Sequence, residues 1–360
     1  MADREVDFSI PTYNAPPEHL HRLATNDLEI GATDALQQHI NRHVVDPAPV
    51  SQAKLTYESY RPRWLRECLA EMTGVFLYVY PGLASTASMV LNDSNPTQGS
   101  LLQVGFGYAF GIASAIIICA PTSGGHFNPS FTICFAFWQG FPWKKVPYYI
   151  FSQLLGGFLA GIILMAQYHT QFADYAAATL AAGKPLVSAN GPAGVLAAFP
   201  PESSHNLGYM FCVEFFADAF IALVVWAALD PANPFVGPTT IPLIIGFAFG
   251  NMGWAFGSLG LATNTAKDLG PRIVATWYYG HEAFTYKHYA WIPILTCYAS
   301  SLFATTWYEL IMRDSLLKIS KGHAVHKEGD EGLQRHLSKT GALPRGTANA
   351  LKTEDKGQFV

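Results

Sequence analysis

Residues 260–272 read GLATNTAKDLGPR: an asparagine, Asn264, stands among small residues and is followed by Lys267, Asp268 and Arg272. Asparagine is among the best helix N-caps, because its side-chain oxygen satisfies an orphan backbone N–H of the first turn. The spacing predicts a helix over about 264–277, too short to cross a bilayer that needs about 20 apolar residues. A second stretch, SGGHFNPS at 123–130, repeats the device. There Asn128 precedes Pro129, which falls at the first helical position, where its missing N–H does no harm. That helix is predicted over 128–137.

The surroundings say what such truncated helices are doing. The chain has 360 residues, of which 50% are hydrophobic and only 13% charged, against about a quarter charged in an ordinary soluble domain. Residues 101–120 and 239–262 carry no charge at all. Six runs long enough to span hydrocarbon follow, at 67–90, 101–120, 146–168, 209–229, 239–256 and 289–312. The reading is an all-α membrane protein of six transmembrane helices plus two half-helices.

Lysine and arginine set the orientation. Seven precede or open the first span, nine follow Met312, Lys144 and Lys145 follow the second span, and the connection 169–208 holds only Lys184. Positive charge marks the cytosolic side. Both termini are therefore expected in the cytosol and 169–208 outside, as an even number of spans requires. Residues 1–62 and 313–360 read as cytosolic tails flanking a channel domain at 63–312. The proline-rich start discourages helix and shows no secretory signal. The five cysteines, Cys68, Cys119, Cys134, Cys212 and Cys297, lie in or beside spans and read as buried free thiols. No spacing suggests a metal site, a cofactor or a nucleic-acid partner. Asn92-Asp93-Ser94 forms a sequon in an outside loop.

The chain also repeats itself. A Glu-led span, a Gly-rich span, an Asn-led turn and a closing span occur in that order at about 67–168 and again at about 209–312. Glu71 stands 57 residues before Asn128, and Glu214 stands 50 before Asn264. Three spans per copy make the two copies enter the membrane from opposite sides, an inverted repeat whose functional site belongs near the midplane. Glycine pairs at Gly107/Gly111, Gly157/Gly161, Gly246/Gly250 and Gly253/Gly257 allow close helix approach. Half-helices entering from opposite faces would meet by their N-termini, and their positive dipole ends suit a pore that repels cations and protons.

These residues resemble the major intrinsic proteins, the aquaporins and aquaglyceroporins, whose pattern is Asn-Pro-Ala twice; the glycerol branch extends the second as Asn-Pro-Ala-Arg-Asp-Phe-Gly-Pro-Arg. Here the motifs are Asn128-Pro129-Ser130 and Asn264-Thr265-Ala266-Lys267-Asp268-Leu269-Gly270-Pro271-Arg272. The resemblance covers about 67–312 and includes SGGHFNP, Glu71, Glu214 and Gln153.

It implies a passive channel for small neutral solutes, most of all glycerol or similar small polyols with some water, without catalysis or cofactor, in a homotetramer in the plasma membrane. It implies filter positions at Tyr108, Met252, Leu261 and Lys267, with Asn251 or Gly253 as alternatives to Met252. It makes Glu71, Glu214, His126 and Gln153 supports of the two dipping loops. Two departures matter. Thr265 replaces proline and brings a hydroxyl expected to bond a local carbonyl. Lys267 replaces arginine, keeping the charge while losing the planar fork that orients a polyol. Water, ammonia, urea or hydrogen peroxide with little polyol flux is the alternative permeant set. An ion-coupled inverted-repeat transporter and a closed structural membrane protein are the competing classes.

Overall fold

The computed structural model describes residues 50–92, 99–204, 206–231, 233 and 235–313. Residues 1–49 and 314–360 of the two tails, and Asp93 and Ser94 of the sequon, lie outside them. Helix α1, Gln52–Tyr60, is capped by Ser51, whose hydroxyl accepts from Lys54 N–H. The proline content upstream had not suggested it.

The apolar runs are helices because hydrocarbon offers no partner for backbone polar groups, and only a helix satisfies them within one segment. The six long ones are α2 (Arg63–Val90), α3 (Leu101–Ser123), α5 (Val146–Gln167), α7 (Leu207–Leu229), α8 (Ile241–Phe256) and α10 (Trp291–Trp307). Leu101–Ser123, Trp143–Gln167, Leu207–Leu229 and Ile241–Leu259 are long and apolar enough to cross a membrane by length and composition alone. Helix α2 opens on the charged residues Arg63, Arg66 and Glu67, and α10 is continued by a π-helical turn at Tyr308–Met312. The half-helices are α4 (Pro129–Trp138) and α9 (Thr265–Tyr279). At about 1.5 Å per residue, α4 reaches about halfway through a bilayer. The connection 169–208 is partly helical: α6 runs His169–Ala181, built on the alanine-rich sequence HTQFADYAAATLA, and Ala193–Leu196 forms one further turn. Alanine is the strongest helix former, which accounts for α6.

Helices α2 to α5 form the first repeat and α7 to α10 the second, with α6 in the connection between them. Helix α2 packs on α3 and α5, and α7 packs on α8 and α10 in the same relation, while α3 meets α8 across the repeats. Each half-helix lies against the closing helix of the other repeat, α4 on α10 and α9 on α5. Glycine permits the second of these contacts. A Cβ on Gly157 would stand 2.2 Å from Ala266 O, and one on Gly270 would stand 2.6 Å from Phe158 N. Backbones this close replace the hydrophobic drive that lipid cannot supply. Phe110, Ile117, Phe151, Phe216 and Phe303 are exposed on the outside of the bundle, where acyl chains would cover them. Cys212 is exposed among them, against the expectation of burial, whereas Cys68, Cys119, Cys134 and Cys297 are buried.

Candidate functional site

Asn128 and Asn264 are the N-caps of α4 and α9, accepting from the N–H groups of Ser130 and Ala266 at 3.0 and 2.8 Å. Their amide nitrogens reach across the repeat boundary. Asn128 Nδ2 donates to Thr263 O at 3.3 Å and Asn264 Nδ2 to Phe127 O at 2.9 Å. Each asparagine thus bonds the carbonyl of the residue preceding the other, and the two half-helices face one another by their N-termini. The positive ends of both dipoles converge at that point.

The residues before the asparagines are bent to allow it. Phe127 has φ 48° and Thr263 has φ 64°, left-handed backbone that costs a non-glycine residue about 1–2 kcal/mol. A buried carboxylate offsets the cost in each repeat. Glu71 accepts from the N–H groups of His126 and Phe127 at 3.0 and 2.8 Å; Glu214 accepts from those of Ala262 and Thr263. Glu71 also takes Ser123 Oγ and Gln153 Nε2, each at 2.7 Å. Gln153 Nε2 reaches Thr132 Oγ1 as well, at 3.0 Å. The His126 ring is buried, stacked on Phe135 at 4.4 Å and set against Phe141 and Tyr149. Its Nδ1 pairs with Thr132 Oγ1 at 3.2 Å.

Of the four positions expected to form a filter, three come together. The Lys267 ammonium sits 5.0 Å from the centre of the Tyr108 ring and makes a long 3.4 Å bond to Leu261 O. A cation over an aromatic face is attracted by the ring's quadrupole. Met252 is half-buried on α8, and the described hydrogen bonds and ring contacts do not extend to it; Asn251 is exposed and Gly253 half-buried. Thr265 corrects an expectation: its hydroxyl bonds no local carbonyl but Ile294 O on α10, at 2.8 Å, beside Cys297 Sγ at 3.1 Å. The motif's first turn holds that contact because α10 passes directly behind it. Ser130, after Pro129 at the start of α4, bonds Asn128 and Ser301, each at 3.0 Å.

Asp268 and Arg272 do not face Lys267 with hydrogen bonds; they fasten the connection 169–208 to α9. Arg272 is fully buried and bonds Asp268 at 2.6 and 3.0 Å, Ala283 O at 2.6 Å and Ala198 O at 2.6 Å. Asp268 takes Ala198 N–H at 2.8 Å, and the guanidinium lies 4.7 Å from the Phe199 ring centre. Phe199 O presses on Gly260, where a Cβ would stand 2.3 Å away, and Tyr289 Oη donates to Gly260 O at 2.8 Å. The loop that supplies Leu261 is held from two sides.

The family model described as major intrinsic protein matches residues 58–308. The chain belongs to the major intrinsic protein family. Among its relatives, Aquaporin-3 of Laccaria bicolor is 37% identical over 278 residues, 76% of this chain and 84% of that one. Aquaglyceroporin-2 of Rhizophagus irregularis is 32% identical over 250 residues, 69% of this chain and 77% of that one. The X-ray structure of the aquaglyceroporin from Plasmodium falciparum matches the fold with a TM-score of 0.61 at 23% identity, covering 69% of this chain and 97% of that one. The molecule is an integral membrane channel protein with an aquaporin-like bundle, and not an enzyme.

Sequence reading had not singled out three polar residues of this major intrinsic protein. Tyr149 Oη donates to Ser123 O at 2.8 Å and steadies the turn before His126. The Tyr78 hydroxyl accepts from Asn264 Nδ2 at 2.5 Å. Glu67, near the start of α2, takes Lys145 Nζ at 2.6 Å and Arg63 Nε at 2.9 Å. The internal repeat carried a signal for one of them. Tyr78 follows Glu71 by seven residues, and its counterpart seven after Glu214 is Ile221. Asp218, buried one turn after Glu214, has no hydrogen-bond partner on either carboxyl oxygen among the described residues.

Proposed function

We propose that this channel passes glycerol or similar small polyols, with some water, down their gradients while excluding protons and cations. The observation that carries the reading is the meeting of two asparagine-capped helix N-termini. Positive dipole ends and amide donors aimed at one spot repel cations and break a proton-conducting chain of water. Beside it Lys267, Tyr108 and Leu261 supply one charge, one ring and one apolar side chain. That mixture suits a molecule with hydroxyls along one edge and carbon along the other. Asp268 and Arg272 match the glycerol branch of the family pattern, and the likeness to Aquaglyceroporin-2 supports the same permeant class. The protein works as a homotetramer with one pore per subunit, in the plasma membrane, with both termini in the cytosol.

Reconstitution in liposomes tests it, with stopped-flow measurement of water, glycerol, urea and a pentitol for the wild type and Lys267→Arg. Arginine restores a rigid planar fork where lysine is a point charge, so the variant should discriminate more sharply between glycerol and the pentitol. Identical permeant profiles would remove Lys267 from the filter. Wild-type flux that responds to a pH gradient would replace the passive channel by a coupled transporter.

A further inference from the structure

The two repeats are alike in the backbone bonds of their carboxylates and in their caps but not at the asparagine amides. Asn128 Nδ2 has one acceptor among the described hydrogen bonds, Thr263 O, so one of its two N–H groups is uncommitted. Asn264 Nδ2 has two, Phe127 O and the Tyr78 hydroxyl, so both of its N–H groups are taken. Tyr78 belongs to α2 and is 3% exposed. Its backbone is fixed where it stands, because α3 crosses so closely that a Cβ on Gly111 would lie 2.8 Å from Tyr78 Cα. The equivalent position in the second repeat is Ile221, buried and without a polar atom. The departure from symmetry is a single phenol, placed on the one asparagine donor that the other repeat leaves open.

Taking as its basis the reading that solutes pass between Asn128 and Asn264, we infer that Tyr78 is the specificity-determining residue of the pore's midpoint. Its hydroxyl occupies Asn264 as a permeant would, so every solute that passes takes over that hydrogen bond. The phenol oxygen accepts from Asn264 and leaves its own proton to donate, with no acceptor among the described hydrogen bonds. A solute hydroxyl that replaces the phenol on Asn264 must first break that bond, a cost that accepting the phenol's proton offsets only in part. A solute with no acceptor leaves two buried donors unpaired, which is costly. The midpoint therefore favours solutes that carry a hydrogen-bond acceptor over others of equal width, and it slows all of them.

The test uses the full chain in liposomes at matched protein content: wild type, Tyr78→Phe and Tyr78→Leu, with water, glycerol and a pentitol measured by stopped flow. Tyr78→Phe keeps the ring and deletes the hydroxyl. It should raise water and glycerol flux about fivefold, the factor that one hydrogen bond between neutral groups is worth. Tyr78→Leu removes the ring as well and should admit the pentitol. Since Tyr78→Phe removes a single atom from the side chain, it decides the matter if the leucine variant fails to fold. Wild-type flux that both variants leave unchanged or lower would overturn this inference and spare the channel reading. Flux no greater than that of protein-free liposomes in all three proteins would overturn both. A silent wild type with a conducting Tyr78→Phe would support both.

Discussion

Arg272→Met is the change whose cost can be worked furthest from the structure. The substitution keeps an unbranched chain in the cavity and deletes the guanidinium. It removes two bonds to Asp268, one to Ala283 O and one to Ala198 O, together with the stacking on Phe199. What remains is the Asp268 carboxylate, with a side chain 0% exposed and only the Ala198 N–H to serve it. Breaking a buried pair from one side costs about 3–5 kcal/mol, because the remaining charge stays buried. For a folded unit of this size, about 4 kcal/mol corresponds to a fall of about 10 °C in Tm. The companion Arg272→Met/Asp268→Leu removes the stranded charge too, and should recover about 2 kcal/mol of the loss. Thermal unfolding in detergent, followed by tryptophan fluorescence, reads both proteins. A single variant that melts within about 2 °C of the wild type, or a double variant no better than the single, would refute the argument that this ion pair fastens the connection 169–208 to α9.

Three further substitutions test the buried carboxylates of α2 and α7. Glu71 accepts from four donors, so the amide of Glu71→Gln would turn an N–H group against one of them. A cost of about 3 kcal/mol is expected, above that of Glu214→Gln, which serves two backbone donors; equal melting temperatures would contradict it. Among the described residues Asp218 has no hydrogen-bond partner, so Asp218→Leu deletes a buried polar group the fold does not satisfy and should leave stability unchanged or raise it by about 1 kcal/mol. A marked loss on the same melting assay would show that the carboxylate is paired.

Much of this molecule is written locally. A segment in hydrocarbon must satisfy its own backbone, so an apolar run of the right length is already a helix, and the six runs differ from the observed helices only by a few residues at their ends. An asparagine before a short run is already a cap, which made the starts of α4 and α9 legible at Asn128 and Asn264. The duplication placed one glutamate ahead of each turn, and the resemblance to the major intrinsic proteins implied that Glu71 and Glu214 support those turns. Helix α6 was missed because its polar, alanine-rich sequence carries no membrane signal and only a helical propensity.

The partners of the buried side chains were a different matter. Nothing in TNTAKD says that the Thr265 hydroxyl ends on Ile294, that Asp268 turns from Lys267 to Arg272 and Ala198, or that Asn264 lends its second N–H to Tyr78. Those contacts join residues 29, 70 and 186 positions apart, and they exist because α9 is wedged between α5 and α10 with α2 beside it. Backbone hydrogen bonds inside a helix depend on neighbours in the chain. A polar side chain in a low-dielectric interior takes whichever partner the packing brings within 3 Å, and only the assembled bundle fixes which one that is.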